Sequence, residues 1–158
     1  MSWSPEDALS PHFRVRELDP ENAAEGEERE RLRELAQVLE AIRAELGGRP
    51  VAVTRSGGYQ PPDDKQSRRW PSRKPTSQHR RARAADIVVR GVSALDVANT
   101  VGRMVREGRL EQVGGVGCYV GDGFVHVDTR PRTKGGRLAL WAQGCKVHRR
   151  EVRWEVAS

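Results

Sequence analysis

Two short segments constrain this chain more than any other part of it. They are Ser77-Gln78-His79-Arg80-Arg81-Ala82-Arg83-Ala84-Ala85-Asp86 and Gly123-Phe124-Val125-His126-Val127-Asp128. They hold two of the four histidines, each close to an aspartate and each beside a short β-branched run. Side chains alternate across a strand, so Ala84 and Asp86 share one face, and Phe124, His126 and Asp128 share another. If the two strands are neighbours in one sheet, Asp86 and His126 point into the same cleft. His79 lies just before its strand, in a loop able to fold over that cleft. Two imidazoles and a carboxylate are the protein ligands of a catalytic zinc site, whose fourth position is open to water. Asp86 alone in a Val-rich strand would be a costly buried charge, and a metal gives it a reason to be there. His79, Asp86 and His126 are therefore the metal candidates, with Zn²⁺ as the expected cofactor. His12 and His148 have no ligand-like context.

The rest of the chain reads as α+β, a small antiparallel sheet with two main helices packed on it. Residues 1–26, with Pro5, Pro11, Pro20 and Gly26, read as an irregular N-terminal arm. Leu32, Leu35, Leu39, Ile42 and Leu46 recur at spacings of three and four, which predicts an amphipathic helix over 27–46. Glu27 and Glu28 suit its dipole and Gly47-Gly48 ends it. Strands are expected over 51–54, 84–89, 115–120 and 123–128, the last two joined by a turn at Gly121-Asp122-Gly123. Ser93 and Asp96 open a second helix running to about Glu107. Residues 131–144 read as a Gly-rich basic loop and 147–156 as a final strand.

At 158 residues the expectation is one domain, 1–158, with 55–76 as a basic loop insertion. Hydrophobic residues make up 36% and charged residues 32%, polar for a globular chain but above the disordered class. A net charge of +6 implies an anionic partner. Arg68, Arg69, Arg73, Lys74, Arg80, Arg81 and Arg83 cluster around Trp70, either as a solvated loop or as a rim that attracts anionic polymer. No stretch approaches the roughly 20 apolar residues of a membrane span. The first residues lack the basic and apolar regions of a secretory signal. Cys118 and Cys145 read as small buried thiols, and spacing does not argue a disulfide between them.

The pattern S-x-H-x-x-G-x-A-x-D followed by F-V-H-V-D resembles the D-Ala-D-Ala carboxypeptidase and L-Ala-D-Glu peptidase group of zinc peptidases, whose fold the hedgehog domain shares. Pro11-His12-Phe13 with Glu17, Val53-Thr54 with Ser56 and Gly58-Tyr59, and Gly114-Gly115-Val116-Gly117-Cys118-Tyr119 resemble further family segments. Ala82 stands where the family has Gly, Gln60 where many members have an Arg that binds a substrate carboxylate, and Gly123 where many have an acidic base.

The resemblance implies a zinc-dependent hydrolase cutting peptidoglycan stem peptides or cross-links. It places Tyr59, Gln60 and Ser77 at the substrate, and leaves Asp122, Asp128 or a metal-bound hydroxide as the base. Asp128 is also able to orient a ligand or pair with Arg130. Peptidoglycan is the expected partner, ahead of nucleic acid. A chain made in the cytoplasm without a signal would act in the cell wall or periplasm after lysis or on a phage or secretion-type delivery machine. The alternatives are a non-catalytic zinc-containing wall-binding or structural domain, and a basic nucleic-acid-binding domain.

Overall fold

The computed structural model describes residues 3–61 and 76–157. Arg68, Arg69, Trp70, Arg73 and Lys74 of the expected basic loop lie outside the described residues. The elements in chain order are β1 (Ala8–Ser10), β2 (Phe13–Arg14), α1 (Val15–Leu18), α2 (Glu27–Glu45), β3 (Val51–Val53), a 3₁₀ turn (Gln78–Arg81), β4 (Ala84–Val89), α3 (Ala94–Arg106), β5 (Gly115–Tyr119), β6 (Phe124–Asp128), β7 (Ala139–Gln143), β8 (Cys145–His148) and β9 (Arg153–Val156). Helices packed on a mixed sheet make the fold α+β.

Helix α2 forms where the aliphatic spacing requires it. Leu32, Leu35, Leu39 and Ile42 are fully buried along one stripe, and each such side chain contributes about 1.5–3 kcal/mol on leaving water. Helix α3 starts at Ser93, whose hydroxyl accepts the backbone N–H of Asp96 at 3.1 Å. That satisfies one of the amides left without a partner at a helix start and is worth about 1 kcal/mol.

The expected irregular arm is folded. Phe13, Val15 and Leu18 are buried, and the buried Asp19 carboxylate accepts from Trp3 Nε1 (2.8 Å), Ala23 N (2.9 Å) and Ala24 N (3.0 Å). Three donors on one buried carboxylate offset the cost of removing it from water.

The main sheet has the order β3-β4-β6-β5-β7. Its pairs are antiparallel except β5 with β7, which run parallel. The expected antiparallel sheet is therefore mixed, and the expected loop 131–144 contains its edge strand. Alternation within β7 accounts for a strand there in place of a loop. Leu140 is buried on the helix side of the sheet and Trp141 turns to the other face. Beyond it, β8 and β9 form an antiparallel hairpin instead of one final strand.

Register places the site. Asp86 pairs with His126, His126 with Gly117, and Gly117 with Trp141, one row across four strands. The next row holds Ala84, Asp128, Gly115 and Ala139. The opposite face carries Ala85, Ile87, Val116, Cys118, Val125 and Val127, all buried, and α3 packs there. One side of the sheet is thus core, and the other is free for chemistry. Both cysteines are free thiols, and burial, followed by the neighbouring Cys145, pushes the Cys118 thiol up to about 12.

Candidate metal centre

His79 reaches the sheet face from the 3₁₀ turn. Ser77 caps that turn, its hydroxyl accepting the His79 N–H at 3.3 Å. Ala82 closes it in the left-handed region at φ 57°, a conformation that costs a residue with a Cβ more than it costs Gly. The segment 54–60 is laced to the site strand and the turn. Thr54 N donates to Asp86 O (2.9 Å), Asp86 N to Gly57 O (2.9 Å) and Gln60 N to His79 O (3.0 Å).

Three ligand atoms converge. His126 Nδ1 lies 3.1 Å and His79 Nε2 lies 3.4 Å from Asp86 Oδ1, and the ligand atoms all fall within 4.8 Å of one another. The imidazoles meet edge to face, with centroids 5.1 Å apart. This is the one such group of metal-ligating side chains among the described residues.

Each imidazole is held from behind. His79 Nδ1 donates to Gly58 O at 3.1 Å, and His126 Nε2 donates to the Asp128 carboxylate at 2.7 Å. Those bonds fix the tautomers so that His79 Nε2 and His126 Nδ1 present lone pairs toward Asp86. His79 Nε2 is buried and makes no hydrogen bond. A buried acceptor left without a donor costs about 1–3 kcal/mol. A cation shared with Asp86 and His126 removes that cost, and an N, N, O donor set suits zinc. The residues present fit the metal.

The same contacts set the charges of these groups in the absence of a cation. Burial opposes ionisation of Asp86, but His126 and His79 outweigh it and hold the carboxyl well below its usual range. Burial disfavours a charged His126, and Asp128 and Asp86 more than offset this, raising its pKa. Burial likewise opposes ionisation of Asp128, while His126 and Arg130 bring it down to about 2.

The centre opens into a cleft of about 380 Å³ bordered by Ser77, Tyr119, Phe124, Arg130 and Trp141 among others. Of the expected substrate residues, Ser77 lines it. Tyr59 and Gln60 do not. Tyr59 is buried, its hydroxyl donating to Glu28 at 2.6 Å, and burial with Glu28 raises its pKa. Gln60 Nε2 donates to Ser56 O at 2.9 Å. Asp122 is exposed in the β5–β6 turn, away from the cleft lining. Asp128 is fully buried behind His126. His12 pairs with Glu40 at 2.8 Å, and His148 lies 2.9 Å from Glu155.

Tyr119, Arg130 and Trp141 are among the lining residues for which the sequence offers no role in the cleft itself. The alternation of Leu140 and Trp141 was the available signal, but it gives the face only once the parallel register is known. A larger depression of about 950 Å³ lies at Trp3, with Arg29 4.9 Å over the indole. The metal-ligand group is elsewhere.

The family model for Peptidase M15 matches residues 11–128. The chain belongs to that family, whose peptidases are zinc-dependent. No curated protein and no solved structure matches it. The family match ends at Asp128, so Arg130 and Trp141 lie beyond it. Among the described residues no helix is long and apolar enough to cross a membrane.

Proposed function

We propose that this protein is a zinc peptidase that hydrolyses peptidoglycan stem peptides or cross-links in the cell wall or periplasm. The observation that carries the reading is the buried, unbonded His79 Nε2 facing Asp86 and His126. His79, Asp86 and His126 would hold the metal, and the chemistry it would supply there is a water of lowered pKa and polarisation of the scissile carbonyl.

The chain's own residues do the rest. Gly58 O and Asp128 fix the two imidazoles. Asp128 acts through His126 as a positioning residue, because its carboxylate is buried and taken up by His126 and Arg130. Ser77 shapes the turn that carries His79. A net charge of +6 draws the protein toward an anionic wall polymer.

One observation favours a second reading, a zinc-bearing wall-binding domain without catalysis. Asp86 is the single carboxylate among the described residues lining the cleft, so no second acid stands ready there as a base. Digestion of purified sacculi separates the two. Zinc-loaded protein should release peptides with free stem termini, identified by mass spectrometry, and His126→Ala or a chelator should stop the release. Sacculus binding with no cleavage, on zinc-loaded protein, leaves the binding-domain reading.

A further inference from the structure

Resting on the metal-centre reading above, we propose that the Tyr119 hydroxyl donates a hydrogen bond into the cleft. Its acceptor is the carbonyl oxygen of a bound peptide lying against His79, Asp86 and His126. Trp141 holds that hydroxyl in place.

The direction of the hydrogen bond follows from the chemistry of the pair. Trp141 Nε1 lies 2.8 Å from the Tyr119 oxygen. An indole N–H only donates, so the phenol oxygen must accept. The phenol's own proton is then committed elsewhere, and none of the hydrogen bonds found among the described residues takes it. Tyr119 and Trp141 both line the cleft that contains the metal-ligand group.

The position is equally constrained. Trp141 shares the row of Asp86, His126 and Gly117, and its indole lies 4.8 Å from the His126 ring. It reaches that far only because position 117 has no side chain. A Cβ at Gly117 would overlap the indole, with Nε1 the nearest atom. Trp141 Nε1 therefore lies over the residue directly opposite His126. The Tyr119 hydroxyl, bonded to that nitrogen, is drawn back along the sheet toward the His126 row.

Both rings are braced. Tyr119 stacks on Phe124 at 4.4 Å and 18°. The Trp141 backbone carbonyl accepts from Trp154 Nε1 at 2.9 Å. Trp154 is in turn clamped to α3 by two hydrogen bonds with Asn99, of 2.8 and 2.7 Å. A donor fixed before the reaction favours the negative charge that develops on a carbonyl oxygen, because it need not reorganise. Trp141 is the positioning residue and lies beyond the family match.

The test uses full-length zinc-loaded protein and a phosphinate analogue of a D-Ala-D-Ala dipeptide, which carries the tetrahedral oxyanion, with binding read by calorimetry. Tyr119→Phe keeps the ring and its stacking. It should weaken probe binding by about tenfold or more, the scale of one hydrogen bond to a charged group, with zinc content unchanged. Trp141→Phe removes the indole N–H and should weaken binding less. In the double variant Trp141→Phe should add nothing, because its effect passes through the hydroxyl. On a cleavable peptide, Tyr119→Phe should lower kcat on the order of a hundredfold with KM little changed.

Probe binding by Tyr119→Phe equal to wild type, or no probe binding by zinc-loaded wild type, overturns the proposal. A full Trp141→Phe loss persisting without the hydroxyl overturns the positioning role. Tyr119-dependent probe binding in a protein that leaves sacculi intact supports the donor and removes the peptidase reading instead.

Discussion

His126 Nε2 lies 2.7 Å from Asp128 Oδ2, and the same carboxylate takes Arg130 Nε at 2.9 Å and Arg130 Nη2 at 2.6 Å. Asp128 is fully buried and held at about 2 by His126 and Arg130 against the opposing effect of burial. A carboxylate at that position takes the Nε2 proton in a hydrogen bond, and Nδ1 is the ring nitrogen that faces Asp86. Its effect on the cleft passes through the imidazole.

Asp128→Asn should weaken zinc binding about 10–100-fold, the usual consequence of losing the group that orients a ligand histidine. It also leaves Arg130 without its ion pair, so some loss of Tm should accompany it. Asp122→Asn should change neither, because Asp122 is exposed in a turn outside the cleft lining. Chelator-competition titrations and sacculus digestion read both. A roughly hundredfold drop in turnover for Asp122→Asn with zinc retained would make that residue the base after all.

Removing the metal should lower Tm without abolishing the fold. The core lies on the opposite face of the sheet and against α2 and α3, so secondary structure does not depend on the ion. A ligand that binds only the native state at a hundred times its Kd adds about 2.7 kcal/mol. Thermal scans with chelator, then with zinc restored, should show a reversible shift, and His79→Ala should abolish it. An unchanged Tm in wild type would count against metal binding at this site.

The parts of the structure with long periodicity were legible in advance. Leu32, Leu35, Leu39 and Ile42 gave α2, and β-branched runs gave β4 and β6 to within a residue. The convergence of Asp86 and His126 was legible from strand parity on the condition that the two strands are neighbours, and β4 and β6 do pair. Short elements were not. Strands β1 and β2 span three and two residues, too few for any period to show.

The parallel placement of β7 beside β5 is a non-local pairing that no turn signal announces, so the sequence around Trp141 reads as loop. Tyr59 and Gln60 show a different limit. A motif places them near the site, but the backbone bonds from Tyr59 N to Leu18 O and from Gln60 N to His79 O set which way they face.

Gly117→Ala should be destabilising although the position is an ordinary strand residue. Its Cβ would overlap the Trp141 indole, and overpacking of this kind costs about 1–3 kcal/mol. The strain should appear as a lower midpoint in urea and a changed tryptophan emission. Trp141→Ala in the same chain should recover part of the loss, since it removes the clashing ring. A Gly117→Ala protein as stable as wild type, with unchanged emission, would mean that the indole has room to move aside.

Acid should reveal the tie between α2 and α3. Glu45 Oε1 accepts from Arg109 Nη2 at 2.5 Å and Oε2 from Arg103 Nη2 at 2.7 Å. The Arg109 bond first and the Arg103 bond second bring the Glu45 pKa down to about 2. A carboxyl depressed in the folded state stabilises fully above its unfolded pKa, about 4.3. That contribution fades as pH falls toward the folded value. Glu45→Gln should therefore show a lower Tm at pH 7, a difference that shrinks below about pH 4.5, and little of it left once pH falls below about 2. The difference at pH 7 should be small, because exposed pairs are screened by solvent, and it should shrink further in 1 M salt. A gap between the two proteins that grows on acidification would show that Glu45 is not held by its two arginines in solution.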